Sequence, residues 1–198
     1  MRVIAGTFRG RKLKSPPSAQ TRPTSDRLRE TLFNVIAPRI EGARFLDLCA
    51  ATGAVGIEAL SRGAEHVTFV DQSRRMCALI EANVGALQIP GDAVEIAVSE
   101  ASMFLRRHAK KIEPSLTGAL LPRTRPFDII FFDPPYAADY GAVLNLIADH
   151  PAQLITEGAV VIVEHHKKKQ LSDEVGTLKR YRTLKQGDSI LSFFKAAA

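Results

Sequence analysis

Long apolar runs are absent from this 198-residue sequence, and none of its hydrophobic stretches is long enough to span a bilayer. Cysteine is scarce, with only Cys49 and Cys77. Both fall in segments that read as core, so they are expected to be reduced thiols rather than a disulfide framework. There is no CxxC and no HExxH, so no metal site can be argued. The opening MRVIAGTFRGRKLK is basic but no long apolar stretch follows it, and it is not expected to act as a secretory leader. Internal repeats are lacking too. What remains is a cytoplasmic chain with room for one α/β domain and a short appendage. Such a fold works as a monomer and gives no reason to expect a membrane partner.

Charge is present, and it is unevenly placed. The formal net charge is +6. Residues 1–30 hold eight basic residues (Arg2, Arg9, Arg11, Lys12, Lys14, Arg22, Arg27 and Arg29) against Asp26 and Glu30, so the remainder balances at zero. A neutral domain with a basic N-terminal segment suggests a polyanionic partner met by that end. Arg2, Arg9, Arg11, Lys12, Lys14 and Arg22 are the candidate contacts.

The hydrophobic pattern divides the chain near residue 40. Residues 2–5 and 11–14 read as short strands of a hairpin around Gly6 and Gly10. A proline-rich stretch leads to a helix capped by Thr24 or Ser25, with Leu28, Leu32, Val35 and Ile36 inward and Pro38 at its end. This 1–40 appendage precedes an expected catalytic domain over 41–198. There, strands are expected at 44–48, 66–71, 94–98, 127–133 and 159–165. Helices are expected at 54–62, 73–87 (Met76, Leu79, Ile80 and Val84 inward), 102–108 and 141–150. Such alternation implies a doubly wound parallel sheet. Segments 181–185 and 190–195 are too closely linked for a crossover, so they are expected to pair as an antiparallel hairpin. Residues 113–126 carry Pro114, Pro122 and Pro126 without periodicity and read as a surface insertion.

The first strand of that domain runs into a turn of small residues, Asp47-Leu48-Cys49-Ala50-Ala51-Thr52-Gly53, and then a helix. Small residues let a ligand approach the backbone, and a helix N-terminus offers free N–H groups to a carboxylate or phosphate. Asp71 ends the next strand, where a carboxylate can accept hydrogen bonds from both hydroxyls of a ribose. Ala51-x-Gly53-x-x-Gly56 also nearly matches a dinucleotide fingerprint, and Asp71 would suit NAD equally. Asp47 favours S-adenosylmethionine instead. A negative charge before the turn suits that cofactor's ammonium group and would repel a pyrophosphate. Ala50, Ala51 and Gln72 complete the candidate cofactor contacts here.

The strand at 127–133 leads directly into Asp133-Pro134-Pro135-Tyr136. Ligands of parallel α/β sheets bind beyond the carboxyl ends of the strands, so Asp47, Asp71 and Asp133 should gather along one edge. An exocyclic amine on a base is a poor nucleophile because its lone pair is delocalised into the ring. The Asp133 carboxylate and the Pro134 carbonyl can each accept a hydrogen bond from such an amine, orienting it and stabilising the charge that develops. Proline rigidity, from Pro134 and Pro135, keeps those acceptors in place. Tyr136 can stack on the base.

Taken together, MRVIAGTFRGRKL, RPTSDRLRETLFNVI (22–36), DLCAATGAVGIEALSRGA (47–64), FVD (69–71), FDIIFFDPPY (127–136) and VVIVEH (160–165) resemble the RsmD-type small-subunit (16S) ribosomal RNA guanine-N2 methyltransferases over nearly the whole chain. The resemblance implies a class I S-adenosylmethionine-dependent methyltransferase fold. Its Rossmann-like sheet would have seven strands, mostly parallel, with an antiparallel C-terminal hairpin. It implies transfer to N2 of a guanine in small-subunit ribosomal RNA, free or in an assembling subunit. It implies cofactor contacts at Asp47, Gly53 and Asp71, base contacts at Asp133, Pro134 and Tyr136, and Arg22, Pro23 and Thr24 near the cleft. The family more often has Phe at position 49, Gly at position 51 and Asp-Ala beside the adenine. Here Cys49, Ala51 and Glu100-Ala101 stand there. Alanine at 51 is expected to require a negative φ. Near the C-terminus Gln186 replaces a usual Tyr.

Three other features carry less. His165-His166 has no third ligand in a matching pattern, Lys167-Lys168-Lys169 reads as a solvated turn, and Cys49 reads as a packing residue. Adenine N6 or a protein amide could be methylated by the same segment, and the basic arm favours nucleic acid. A non-catalytic RNA-binding assembly factor would not need Asp133–Tyr136, and an NAD-dependent oxidoreductase leaves that segment unexplained.

Overall fold

The computed structural model describes residues 1–16, 26–111, 125–135 and 138–197. They form two compact units, Met1–Ser99 and Glu100–Ala198. The proline-rich stretch, its capping residues Thr24 and Ser25, and most of the expected surface insertion lie outside the described residues.

In the first unit, helix α1 (Asp26–Ile36) precedes β1 (Arg44–Leu48), α2 (Ala54–Ser61), β2 (His66–Asp71), α3 (Arg74–Ala86) and β3 (Val94–Val98). The strands run parallel in the order β3-β2-β1, with Asp47 opposite Phe69 and Asp71 opposite Val98. All five residues of β1 are buried, as a strand covered on both faces requires. α2 lies very close to β2. A Cβ on Gly56 would stand 2.3 Å from the Phe69 ring, so glycine there serves helix–strand packing.

The inward faces of the two longer helices differ from expectation. α1 buries Leu28, Arg29, Leu32, Phe33 and Ile36, with Val35 only half-buried. α3 buries Cys77, Ile80 and Asn83, leaving Met76, Leu79 and Val84 half-buried. In each helix a polar residue holds an inward position because it has buried polar partners. Apolar periodicity cannot reveal such a residue.

The expected N-terminal hairpin is reduced to one antiparallel bridge, Arg2 with Lys12, anchored by buried Val3 and Leu13. Four of the intervening N–H groups bind α2, while those of Val3, Arg9, Gly10 and Arg11 bond within the segment. Ile4 and Ala5 donate to the Glu58 carboxylate at 2.8 and 3.0 Å. Thr7 donates to the Ser61 carbonyl at 2.8 Å, and Phe8 to the Ser61 hydroxyl at 2.9 Å. Gly6 has φ 81°, and a Cβ there would lie 1.6 Å from the Ser61 carbonyl oxygen. Only glycine allows this approach.

The second unit holds α4 (Ala101–Lys111), β4 (Phe127–Phe132), α5 (Tyr140–Asp149), α6 (Pro151–Leu154), β5 (Ile155–His166), β6 (Glu174–Val175), β7 (Leu178–Gln186) and β8 (Ser189–Ala196). β4 and β5 are parallel, β8 is antiparallel to β5, and β7 and β8 form the expected hairpin. The order is β4-β5-β8-β7-β6. The two-residue β6 on the outside of β7 was not expected. Among the described residues, no helix is long and apolar enough to cross a membrane.

Candidate active site

The turn after β1 is left-handed at alternate residues, with φ of 63° at Cys49, 49° at Ala51 and 74° at Gly53. The expectation of a negative φ at Ala51 is therefore wrong. Its backbone is held in place by hydrogen bonds: Ala50 N–H donates to the Val70 carbonyl at 3.0 Å, and Ala51 N–H to Asp71 Oδ2 at 2.9 Å. The other Asp71 oxygen accepts from Ser73 N–H at 2.8 Å. Asp71 thus fixes the turn to the end of β2 and the start of α3. A carboxylate has further lone pairs, so a half-buried Asp71 can still accept from ribose hydroxyls. Gln72, next to it, is exposed. A Cβ on Gly53 would meet Ile80 and Phe69, so its small size serves inward packing as well as its positive φ.

Asp47 is buried, and Oδ2 accepts from Gly56 N–H at 2.9 Å, capping the first turn of α2. Burial raises its carboxyl to about 7, against the Gly56 hydrogen bond and with a smaller contribution from Asp71. A carboxylate kept from water in this way gains from a nearby cation, and the ammonium group of S-adenosylmethionine would be one. The turn's residues therefore fit this cofactor. Asp47 and the helix terminus suit its amino-acid end, and Asp71 suits its ribose.

Sequence reasoning missed Asn83 of α3. Its side chain accepts from Lys14 N–H at 2.8 Å and donates to the carbonyls of Lys14 at 3.2 Å and Thr52 at 3.1 Å. One amide thus joins the basic arm to the cofactor turn. Glu58 was missed as well. Fully buried, it accepts from Ile4 and Ala5, pairs with Arg62 at 2.7 Å, and faces Arg29 at 3.9 Å. Arg29 is itself buried and donates to the Arg2 carbonyl at 2.7 Å and to Asp26 at 2.9 Å. Desolvation lowers the Arg29 pKa, while Glu58 and Asp26 oppose that shift. Both Asn83 and Glu58 sit at inward helical positions where an apolar residue would be usual, and that is their only trace in the sequence.

In the second unit Glu100 caps α4. It accepts from the N–H groups of Ser102 and Met103, each at 3.0 Å, and from the Ser102 hydroxyl at 2.5 Å. Partial burial opposes ionisation, but these hydrogen bonds, with Arg106 nearby, hold its pKa below the usual value. Its carboxylate already serves the helix, and Ala101 beside it is buried.

Asp133 follows β4 and is half-buried, Pro134 is buried and Pro135 exposed. The segment is fixed at both ends. Phe132 closes β4 and meets the Tyr140 ring edge-on with centroids 5.8 Å apart. Asp139 accepts from Ala142 N–H at 3.1 Å and caps α5. The Pro135 carbonyl accepts from Ala138 N–H at 2.8 Å. Tyr136 lies outside the described residues, as do Arg22 and Thr24.

Of the basic arm, Arg9, Lys12 and Lys14 are exposed. Arg2 approaches Asp26 at 3.7 Å, and Arg11 donates to the Ala86 carbonyl at 3.1 Å. The Cys77 thiol is buried against the carbonyls of Asp71 and Ala97, and burial raises its pKa. His165 is buried with Nε2 2.9 Å from the Ser192 hydroxyl, and burial lowers its pKa. Among the described residues, no group of three or more His, Cys, Asp or Glu could hold a metal ion.

Solved structures with this fold include "Putative methyltransferase yhhF" of Escherichia coli, 29% identical, with a TM-score of 0.80 over 99% of this chain and 97% of that one. Fold and cofactor turn together define a class I methyltransferase. The family described as "Conserved hypothetical protein 95" matches residues 1–195. "Putative rRNA methyltransferase YlbH" of Bacillus subtilis is 35% identical over 98% of both chains. "Ribosomal RNA small subunit methyltransferase D" of Escherichia coli K12 is 36% identical over 83% of this chain and 74% of its own. The chain belongs to this family, that of the RsmD-type methyltransferases.

Proposed function

We propose that this enzyme transfers a methyl group from S-adenosylmethionine to the exocyclic N2 of a guanine in small-subunit ribosomal RNA. The carrying observation is the Asp133-Pro134-Pro135 segment, fixed between Phe132 at the end of β4 and the cap of α5. The names of its relatives support ribosomal RNA as the substrate.

When bound, S-adenosylmethionine supplies an electrophilic methyl carbon on a positive sulfur. Asp47 and the first turn of α2 bind the ammonium and carboxylate end, Asp71 takes the ribose hydroxyls, and Ala50, Ala51, Gly53 and Gln72 line the turn. Glu100 and Ala101 are proposed beside the adenine, with Glu100 limited by its capping bonds. Asp133 and the Pro134 carbonyl accept hydrogen bonds from the guanine amine and aim its lone pair. Tyr136 is proposed to stack on the base, and Arg22 and Thr24 are proposed to contact the cofactor. Held by Asp133 and the Pro134 carbonyl, the amine would receive the methyl carbon that the cofactor would supply, with the cofactor's sulfur as leaving group. The amine's surplus proton passes to water.

The appendage over residues 1–40 brings RNA to the domain over 41–198 through Arg2, Arg9, Arg11, Lys12, Lys14 and Arg22. The enzyme acts as a monomer in the cytoplasm, where ribosomal subunits assemble. The test is incubation of the protein with methyl-labelled S-adenosylmethionine and small subunits lacking the modification. Label is expected in the RNA, and Asp133→Ala should abolish transfer while leaving cofactor affinity nearly unchanged. Unlabelled RNA despite bound cofactor would refute the proposal, and loss of cofactor binding in Asp133→Ala would make Asp133 structural.

A further inference from the structure

The C-terminal segment, hairpin included, carries a second concentration of positive charge that whole-chain averaging conceals. Residues 167–198 hold eight Lys and Arg against three Asp and Glu, while residues 31–166 hold eleven against sixteen. Part of this charge is neutralised locally. Lys167 pairs with Asp188, Lys179 with Glu174, and Arg180 with Asp173.

The feature that stands out is at the middle of β7. The register against β8 slips between Arg180 and Arg182, so that Tyr181 is an extra, bulged residue. Tyr181 is 47% exposed, one of three large hydrophobic side chains so open among the described residues. Its ring is tilted on Phe193 with centroids 6.3 Å apart, and Lys195 Nζ stands 4.8 Å from its centroid. Arg182, next to it, is exposed, and Lys179 and Lys185 are exposed further along the strand.

Cations on an outer strand can serve simply to prevent edge-to-edge pairing. That purpose does not call for an exposed aromatic ring, which would instead invite association. Bulges commonly re-aim a side chain. An aromatic ring set among cations is the arrangement by which proteins take nucleotides: the ring stacks on the base and the cations meet its phosphates.

We propose that Tyr181, Arg182 and Lys195 form a second RNA-contact surface, in addition to the basic N-terminal arm. Tyr181 is exposed and Lys195 half-buried, and a partly solvated cation–ring contact is weak enough for a base to displace, which frees the ammonium for a phosphate. This inference rests on the RNA substrate proposed above.

The test measures binding of a labelled single-stranded RNA of mixed sequence by the full chain across a salt series. Tyr181→Ala should weaken binding roughly fivefold to one-hundredfold with an unchanged salt slope, as loss of one stacked base predicts. Tyr181→Phe should restore it. The Arg182→Ala/Lys195→Ala double variant should lower the slope of log affinity against log salt by about 1.4, for two phosphates on a single strand. Cofactor affinity and melting temperature report whether each variant folds. If the wild type binds RNA and labels ribosomal RNA while every variant matches it, the second surface is overturned and the substrate reading stands. If the wild type neither binds nor labels RNA, both fall. Phosphatidylserine vesicles serve as the competing probe: variants that lose vesicle binding but keep RNA binding would assign the patch to a membrane and overturn the proposal.

Discussion

Ala51 has φ 49° in the turn after β1, a conformation that disfavours a Cβ by roughly 1–2 kcal/mol. Asp71 holds the residue there through its N–H, so the strain is built into the cofactor turn. Ala51→Gly should therefore raise stability by about 0.5–1 kcal/mol after allowance for the more flexible unfolded chain. Thermal unfolding would detect this as a rise of a few degrees, and an unchanged or lower melting temperature would mean that the turn is not strained. Asp47 makes a different prediction. Its carboxyl rises from 3.8 unfolded to about 7 folded because it is buried. A folded pKa above the unfolded one means that the folded state binds the proton more tightly. The stabilisation is complete below about pH 4 and is lost as pH rises through about 7. Asp47→Asn keeps an acceptor for Gly56 N–H and removes this loss. Between pH 5 and 8 the variant's melting temperature should fall less than the wild type's. Identical pH profiles would show that Asp47 ionises normally. The sequence pointed to Asp47, Asp71 and Asp133 as strand-end carboxylates. It could not say that Asp47 would be capped and desolvated, since that depends on how closely Gly56 lets α2 approach β2.

The arm, α2 and α3 are joined by buried polar side chains. Asn83 satisfies both backbone groups of Lys14 and the carbonyl of Thr52. Asn83→Ala leaves these without that partner and should destabilise by about 2–4 kcal/mol. Hydrogen exchange at the Lys14 amide should rise well above the global change, and cofactor affinity should fall with it as the turn loosens. Equal loss of protection everywhere would make Asn83 an ordinary core residue. Glu58 carries a heavier load. Glu58→Ala removes one of the two carboxylates facing buried Arg29 and frees the N–H groups of Ile4 and Ala5, for an expected loss of about 3–5 kcal/mol. Glu58→Ala should also make the arm susceptible to limited proteolysis, and a resistant arm would contradict its docking role. These elements show where pattern reading succeeds and where it stops. Continuous apolar segments such as Ile129–Phe132 and Val160–Val163 mark strands directly. The arm was legible as charge and glycine, but its docking was not. Ile4, Ala5, Thr7 and Phe8 give their N–H groups to α2, and such pairing across more than fifty residues leaves no local signal.

At the scale of the whole molecule, positive charge lies at the two ends of the sequence and the middle is acidic. This suits the proposed RNA substrate, with Asp133 as the proposed acceptor for its amine. Neutralising Arg9, Arg11 and Lys12 together should weaken RNA binding and lower the salt slope by about 2. An unchanged slope would leave the arm's charge as a solvated face. The fold class was legible from β-α alternation and the closing hairpin, and the methyltransferase family from the motifs, whereas the roles of Asp47, Asp71 and Asp133 belong to the proposal. The choice of guanine N2 was not legible from those residues, because the same acceptors would orient an adenine N6 equally well. That choice is also the centre of the functional proposal, and one measurement addresses it directly. Small-subunit RNA labelled by the enzyme is digested to nucleosides and the label is separated by chromatography. The label should co-migrate with N2-methylguanosine, whereas label in N6-methyladenosine, or in any nucleoside other than a guanosine methylated at N2, would contradict it.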